Sequence, residues 1–396
     1  MSRLLLAAGL LVLLLFAYLT AIRAAYVLVY GLALVYLLAY FWPRQVVRQI
    51  RVTRRIDTGT PTVGEAFEES FTAQKVGWVP APWVEIRDLS EIPGYQPGRV
   101  VSLGDPVTWT HRGVYRQRGW LTFGPTRVKV QEPFGLFSRE TRLNERHKVL
   151  VYPRIRPMPE FVMPAEQHSG DARLLSAAWA DYPPETSGVR DYAEGDSLGR
   201  IHWKLSNKYG HLVSKTFEQP LTSDLLILLD LQRSVHHGKG EESTLEYAIS
   251  LAASINAQVH SQGRQVGLIT NDSRGTVLTP HRALRLERAL LEYLAVAQAD
   301  GELAISSPQV WDRVRRLPGR MLAVITPSAD ATWLRLLEAL PQKRTSRVAF
   351  YIDAASFGAA EPHLTFDLHT DVELFVVRRG DDFSRLMRTR NAVRLV

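Results

Sequence analysis

Residues 225–230 read LLILLD. A strand with one face in water alternates apolar and polar residues. A continuous apolar run of this length is what a strand covered on both faces requires. It closes on Asp230, and the rhythm that follows sets the fold class. Ser243-Thr244-Leu245-Glu246 is a capping-box sequence, in which the serine hydroxyl serves the Glu246 N–H and the carboxylate reaches back. Leu245, Ala248, Ile249, Ala252, Ile255 and Val259 then recur at helical spacing, with Gly263 placed to close the helix. A strand is expected at 265–270 (QVGLIT), an amphipathic helix at 284–297, a strand at 321–326 (MLAVIT), a helix at 333–340, and strands at 347–352 (RVAFYI) and 373–377. Strands alternating with helices predict an α/β domain, with a mainly parallel sheet and helices on both faces.

Upstream the pattern differs. Residues 50–153 carry short alternating runs at 66–73, 83–89, 119–123, 126–131 and 148–152. Turn clusters such as Gly59-Thr60-Pro61, Pro93-Gly94 and Gly104-Asp105-Pro106 separate them. No helical period appears, so an all-β, immunoglobulin-like antiparallel sandwich is expected. Trp83, Trp109 and Trp120 are expected between its sheets. Residues 154–186, rich in proline, alanine and polar groups, read as a connector with one short helix at 174–179.

The first 43 residues are of another kind. Residues 4–22 (LLLAAGLLVLLLFAYLTAI) and 24–42 (AAYVLVYGLALVYLLAYFW) are uncharged, interrupted by Arg23. At about 1.5 Å per residue each is long enough to cross about 30 Å of hydrocarbon. Three arrangements fit: a transmembrane hairpin, a signal peptide followed by an anchor, or one bent helix. The first run is long for a signal core, and Thr20-Ala21-Ile22 is a poor cleavage site. The hairpin is therefore the expectation. Arg44, Arg48, Arg51, Arg54 and Arg55 follow Trp42 with no acid before Asp57. The positive-inside rule then puts the folded bulk in the cytoplasm as part of a two-helix membrane protein, with these arginines near anionic head groups.

The chain has 396 residues, a formal charge of +8 and no cysteine. Thiol nucleophiles, iron–sulfur clusters, cysteine zinc sites and disulfides are thereby excluded. No reader module with interleaved basic and aromatic residues is present, so no nucleic-acid partner is expected. Phosphate-loop, HExxH, GxSxG and GxGxxG patterns are missing as well. No catalytic residue is assigned and no enzyme is expected.

Two constellations remain. In a parallel sheet, ligands sit beyond the carboxyl ends of the strands, where Asp230, Thr270, Thr326 and Asp353 are expected. Asp230-Leu231-Gln232-Arg233-Ser234 resembles the D-x-S-x-S metal motif of von Willebrand factor A domains. Gln232 replaces the middle serine, Arg233 adds a cation, and Thr326-Pro327-Ser328 lacks the family's aspartate. Asp230, Ser234 and Thr326 are thus a degenerate oxygen-ligand set, against the alternative of a plain strand end. No cofactor is expected; Mg²⁺ is the cation such ligands would take. The second constellation runs from Ser187 to Ser206. Asp191, Glu194 and Asp196 precede Arg200, His202 and Lys204, as a docking patch or as a turn in which Asp196 caps a short helix and Arg190 pairs with acids.

Gly188, Val189, Arg190, Asp191, Tyr192, Gly195, Asp196, Arg200, Ile201, His202, Trp203, Lys204 and Ser206 stand at the offsets of the signature of the domain of unknown function 58 family. Asn207-Lys208 replaces its usual Ala-Arg. Arg112-Gly113-Val114-Tyr115, Pro133-Phe134-Gly135-Leu136-Phe137 and Val151-Tyr152-Pro153 fit the same family. The resemblance implies a membrane-anchored chain with a β domain at 50–153 and a von Willebrand A-like domain at 187–396, whose signature segment is 187–218. It also implies association with MoxR-type AAA+ ATPases in a chaperone-like role. The expectation is a membrane-tethered, non-enzymatic interaction module with lipid, an AAA+ ATPase or its client as partners. The alternatives are a cation-dependent hydrolase-like enzyme near Asp230 and an extracytoplasmic adhesive module.

Overall fold

The computed structural model describes residues 2–56, 59–158, 186–193, 201–217, 223–279, 286–317, 319–340, 346–360 and 372–386. By internal contacts the chain divides into two units, Met1–Arg154 with Glu292–Val296, and Ile155–Leu291 with Ala297–Val396. The expected connector helix at 174–179 lies outside the described residues.

The first unit opens with helices α1 (Ser2–Thr20) and α2 (Arg23–Gln49). α2 is long and apolar enough to cross a membrane. Most of its apolar side chains are exposed, Val27, Leu28, Leu34 and Phe41 among them, as suits a helix whose solvent is lipid. The helix does not stop at Trp42, where the apolar run ends. It passes through Pro43 to Gln49, because Val46 is buried in the core of the following domain with Trp42 and Val47 packed against it. Packing there overrides the usual proline break.

The named strands of that domain pair antiparallel throughout. Strands β1 (Ile50–Ile56), β2 (Ala66–Lys75) and β5 (Val107–Val114) form one sheet in the order β1-β2-β5. Strands β3 (Ala81–Asp88), β4 (Gly98–Leu103), β7 (Thr126–Gln131) and β8 (Ser138–Leu143) form a second in the order β4-β3-β7-β8. β6 (Gly119–Phe123) pairs with β9 (His147–Val151). Val52, Phe71 and Trp109 of the first sheet share one core with Val84, Ile86, Val101 and Val128 of the second. This is the face-to-face packing of a β-sandwich.

Two expectations are corrected here. Trp109 is a core residue, stacked on Phe71 with centroids 5.5 Å apart. Trp83 and Trp120, by contrast, are 52% and 61% exposed. Strand parity explains it: Leu121 and Phe123 take the inward positions of β6 and Val84 and Ile86 those of β3, leaving both tryptophans outside. The core aromatics are instead Phe67, Tyr95, Tyr115 and Phe123. Nor does Arg54 face head groups. It takes an inward position on β1, where its Nε lies 2.7 Å from Glu69 and its Nη2 meets Asp88. Tyr95 donates to the other Glu69 oxygen at 2.6 Å. Arg51 and Arg55, on the opposite parity, are exposed, as is Arg48; Arg44 is half-buried.

The second unit holds a six-stranded sheet. Strand β12 (Ser223–Leu229) lies between β13 (Val266–Thr270) and β15 (Gly319–Thr326), parallel to both. β16 (Ser346–Ile352) and β17 (Glu373–Val377) extend the parallel side. The two-residue β14 (Val277–Leu278) runs antiparallel on the far edge. The fold is therefore mixed α/β, and every residue from Leu225 to Leu229 is at most 2% exposed. Leu226 and Leu228 pack with Trp311 and Trp333, which lie on two of the unit's helices, Pro308–Arg316 and Thr332–Glu338. The helix Thr244–Ser261 starts where the capping box predicts: Ser243 Oγ accepts from Glu246 N–H at 3.3 Å. A smaller β10 (Thr186–Asp191) and β11 (Val213–Phe217) hairpin precedes the sheet.

Candidate functional site

The chain leaves β12 for β13 on one side and then crosses to β15 on the other. The strand order reverses at β12, and a crevice forms beyond carboxyl ends at such a point. Asp230 and Thr326 stand there, 96 residues apart in sequence. Thr326 Oγ1 donates to Asp230 Oδ2 at 2.6 Å. Asp230 Oδ1 accepts from Asn271 Nδ2 at 2.8 Å and from the Gln232 N–H at 3.1 Å. Burial pushes the Asp230 carboxyl above the ordinary aspartate range, and these three hydrogen bonds oppose the shift. His236 Nε2 lies 3.0 Å from the Asp230 carbonyl, and its Nδ1 3.1 Å from Thr244 Oγ1. Burial pushes the His236 ring down while Asp230 pulls it up.

Asn271 joins this cluster through both ends of its amide. Its Oδ1 accepts from the Leu231 N–H at 2.6 Å, and its Nδ2 also donates to the Leu303 carbonyl at 2.8 Å. Gly301 closes the arrangement: its N–H donates to the Leu231 carbonyl at 3.0 Å, and the Arg233 N–H donates back to the Gly301 carbonyl at 2.9 Å. A Cβ at Gly301 would stand 2.1 Å from the Asn271 carbonyl oxygen, so only glycine admits this approach.

Of the three expected oxygen ligands, Asp230 and Thr326 come together. Ser234 is exposed and accepts from Gln232 Nε2 at 2.9 Å. Thr270 donates to Asp272 at 2.9 Å, and Asp353 pairs with Arg378 at 3.5 Å. Among the described residues, no group of three or more His, Asp or Glu side chains could hold a metal ion. As described, the crevice floor is a hydrogen-bonded lock between loops. Asn271 is the member that sequence reasoning missed, and its one signal is its place immediately after β13.

The signature segment divides. Val189 to Asp191 run along β10 against β11, in the register Arg190 to Ser214. The Tyr192 N–H donates to the Leu212 carbonyl at 3.0 Å. His202 N-caps the helix Trp203–Tyr209, accepting from the Leu205 N–H, and its own N–H donates to the Val213 carbonyl at 2.8 Å. Ser206 Oγ accepts from the Val213 N–H at 2.9 Å. The expected cap Asp196 lies outside the described residues, and the helix Trp203–Tyr209 has His202 as its cap. Glu194, Gly195, Asp196 and Arg200 themselves lie outside the described residues. Asp191 meets His211 at 3.0 Å. Trp203, 62% exposed, and the exposed Lys204 open the same helix.

Known proteins bear on this segment. Residues 188–350 match the family described as Protein of unknown function DUF58. The uncharacterized protein YeaD of Bacillus subtilis (strain 168) is 24% identical over 189 residues, covering 48% of this chain and 45% of that protein. The chain thus spans less than half the length of the curated relative it matches. Among solved structures, the CARDB domain of PF1109 from Pyrococcus furiosus gives a TM-score of 0.20 at 14% identity, over 26% of this chain and 91% of that one. The PKD domain of an M14-like peptidase from Thermoplasmatales archaeon SCGC AB-540-F20 gives 0.17 at 10% identity, over 25% and 91%. Neither score carries an argument about this fold. The family match spans the described part of the signature and the core of the parallel sheet, and over that stretch the chain is similar to DUF58 proteins.

Proposed function

We propose that this chain is a membrane-tethered, non-enzymatic docking module. In this reading α1 and α2 cross the bilayer as a hairpin, and both folded units lie on the cytoplasmic side. The second unit is von Willebrand A-like, and it offers its signature helix to a MoxR-type AAA+ ATPase or that ATPase's client. The observation that carries the reading is the division of the signature. His202 and Ser206 are consumed in holding this segment together, whereas the side chains of Trp203 and Lys204 face solvent. A large aromatic beside a cation on a surface is the composition of an interface anchor.

The test uses the tagged full chain in detergent with a MoxR-type ATPase as bait. Wild type is expected to retain the ATPase, and Trp203→Ala and Lys204→Glu to lose it while unfolding at the wild-type temperature. Absence of retention, or retention indifferent to both substitutions, overturns the reading.

A second reading, a cation-dependent enzyme, is favoured by one observation: Asp230 and Thr326 meet at the reversal of strand order. Calorimetry of the full chain with Mg²⁺ or Mn²⁺ decides it, since binding abolished by Asp230→Asn supports an enzyme and heat-silent titration removes it.

A further inference from the structure

We propose that the turn between β7 and β8, Pro133-Phe134-Gly135-Leu136-Phe137, dips into the lipid beside α2 and seats the β-sandwich on the bilayer. The inference rests on the reading of α2 as a membrane-spanning helix and goes beyond it, because it assigns a second, non-helical contact with lipid.

The helix supplies a depth scale. Between Arg23 and Arg44 it carries no charge. Tyr36 and Tyr40 precede Arg44 by eight and four residues, so they lie about 12 Å and about 6 Å on the apolar side of it. The Phe137 ring meets both, with centroids 5.2 Å from Tyr36 and 5.5 Å from Tyr40, each edge to face. The turn is therefore level with the tyrosines, in the belt that amphipathic aromatics occupy at a membrane boundary. A burial depth of about 5–10 Å is typical of interfacial apolar segments. Phe134 stands 67% exposed on the same turn. The surface beside this turn is the lipid-facing surface of α2, so its occupant is lipid.

Irregular backbone in lipid has a strict requirement, since no water is present to take up unpaired N–H groups. This turn meets it. The Glu132 carboxylate accepts from the N–H groups of Phe134 and Leu136, and from that of Phe137 at 2.9 Å. The Gly135 N–H donates to the Glu132 carbonyl at 3.1 Å, and the Glu132 N–H to the Phe137 carbonyl at 3.3 Å. Proline has no N–H. Every backbone donor from Glu132 to Phe137 is thus bonded inside the turn, and Glu132 itself is 2% exposed. Gly135 takes φ +71°, which the tight reversal needs and which a side chain would strain. An ordinary water-exposed hairpin needs no such complete saturation of its donors.

The chain has no cysteine, so single cysteines report cleanly. Phe134→Cys, Leu34→Cys and Asn144→Cys replace exposed side chains. The first lies on the turn, the second on α2, the third just past the far end of β8. Each full-length variant is labelled with an environment-sensitive fluorophore and reconstituted in phosphatidylcholine–phosphatidylglycerol vesicles. Lipids carrying a nitroxide either near the top or near the middle of the acyl chain are the probes, with aqueous iodide as counter-probe. The labels at 134 and 34 are expected to be quenched by a lipid nitroxide and spared by iodide, and the label at 144 to behave oppositely. Quenching at 34 with iodide access at 134 overturns the lipid-dipping turn alone. Protection at 134 from both quenchers also overturns it, in favour of a protein occupant. Iodide access at 34 removes the spanning helix and the turn's role together.

Discussion

The two folded units bury carboxylates by opposite means. In the β-sandwich, Glu69 and Asp88 share one cation, Arg54, with side chains of all three at most 2% exposed. In the α/β unit, Asp230 is fully buried and meets neutral donors: a hydroxyl, a side-chain amide and a backbone N–H. The first arrangement puts two potential negative charges against one positive, and burial favours a proton on Glu69. The second spreads one charge over dipoles from its own loop, from Asn271 after β13 and from Thr326 at the end of β15, which ties these segments together. A buried ion cluster is weak evidence for stability, since desolvation offsets the attraction, but removing one partner is costly. A carboxylate held by dipoles degrades more gently. The comparison therefore predicts a ranking of substitutions.

The largest effect belongs to Arg54. Arg54→Met leaves Glu69 and Asp88 buried without their cation, and a loss of about 3–5 kcal/mol is expected from guanidinium unfolding of the detergent-solubilised chain. A loss below about 1 kcal/mol would place the cluster with surface pairs and break the comparison.

Next comes the proton on Glu69. Burial raises Glu69 from 4.5 to about 7, against the pull of Tyr95 and Arg54. The folded chain thus holds a proton that the unfolded chain has released, so stability falls as pH rises from about 4.5 through about 7. The slope is worth about 3 kcal/mol over that window. Glu69→Gln, which keeps the Tyr95 hydrogen bond, is expected to flatten it. A profile equally steep in the variant assigns the slope to other groups.

Asp230→Asn ranks third. The amide oxygen can still accept from Asn271 and Gln232, and the amide N–H can donate to Thr326 Oγ1, so about 1–2 kcal/mol is expected. The raised carboxyl again makes wild type lose stability as pH climbs above the usual aspartate range, and the variant lacks that loss. The gap between them is therefore expected to narrow with pH. A gap that widens would mean that the ionised form is the one the site favours, which is the electrostatics a cation site needs.

Parts of this contrast could be read from the chain and parts could not. LLILL, the capping box at Ser243 and the strands 119–123 and 126–131 fall where local pattern puts them, because burial on one face or two is written in adjacent residues. Arg54 was also readable: in IRVTRRI it shares parity with Ile50 and Val52, and counting basic residues near a membrane ignores parity. β8, with the sequence SRETRL, has no apolar signal, since a polar edge strand owes its place to its neighbour β7. Asp230 pointed to itself as a strand end, but its partners Asn271 and Thr326 are chosen by the order of strands in the sheet, which no local spacing encodes.

The smallest effect completes the series with a carboxylate left in water. Asp191 meets His211 at 3.0 Å on the β10–β11 hairpin, but both side chains are more than half exposed. Water already solvates the charge, so the contact has no desolvation to repay and little Coulomb energy to gain. Asp191→Asn is expected to cost less than about 0.5 kcal/mol in thermal unfolding, with the difference vanishing in high salt. A larger, salt-independent loss would show that the hairpin leans on this pair. The signature's acidic residue would then belong with Glu69 and Asp230, as a carboxylate that holds structure, rather than with Trp203 and Lys204 on the surface left free for a partner.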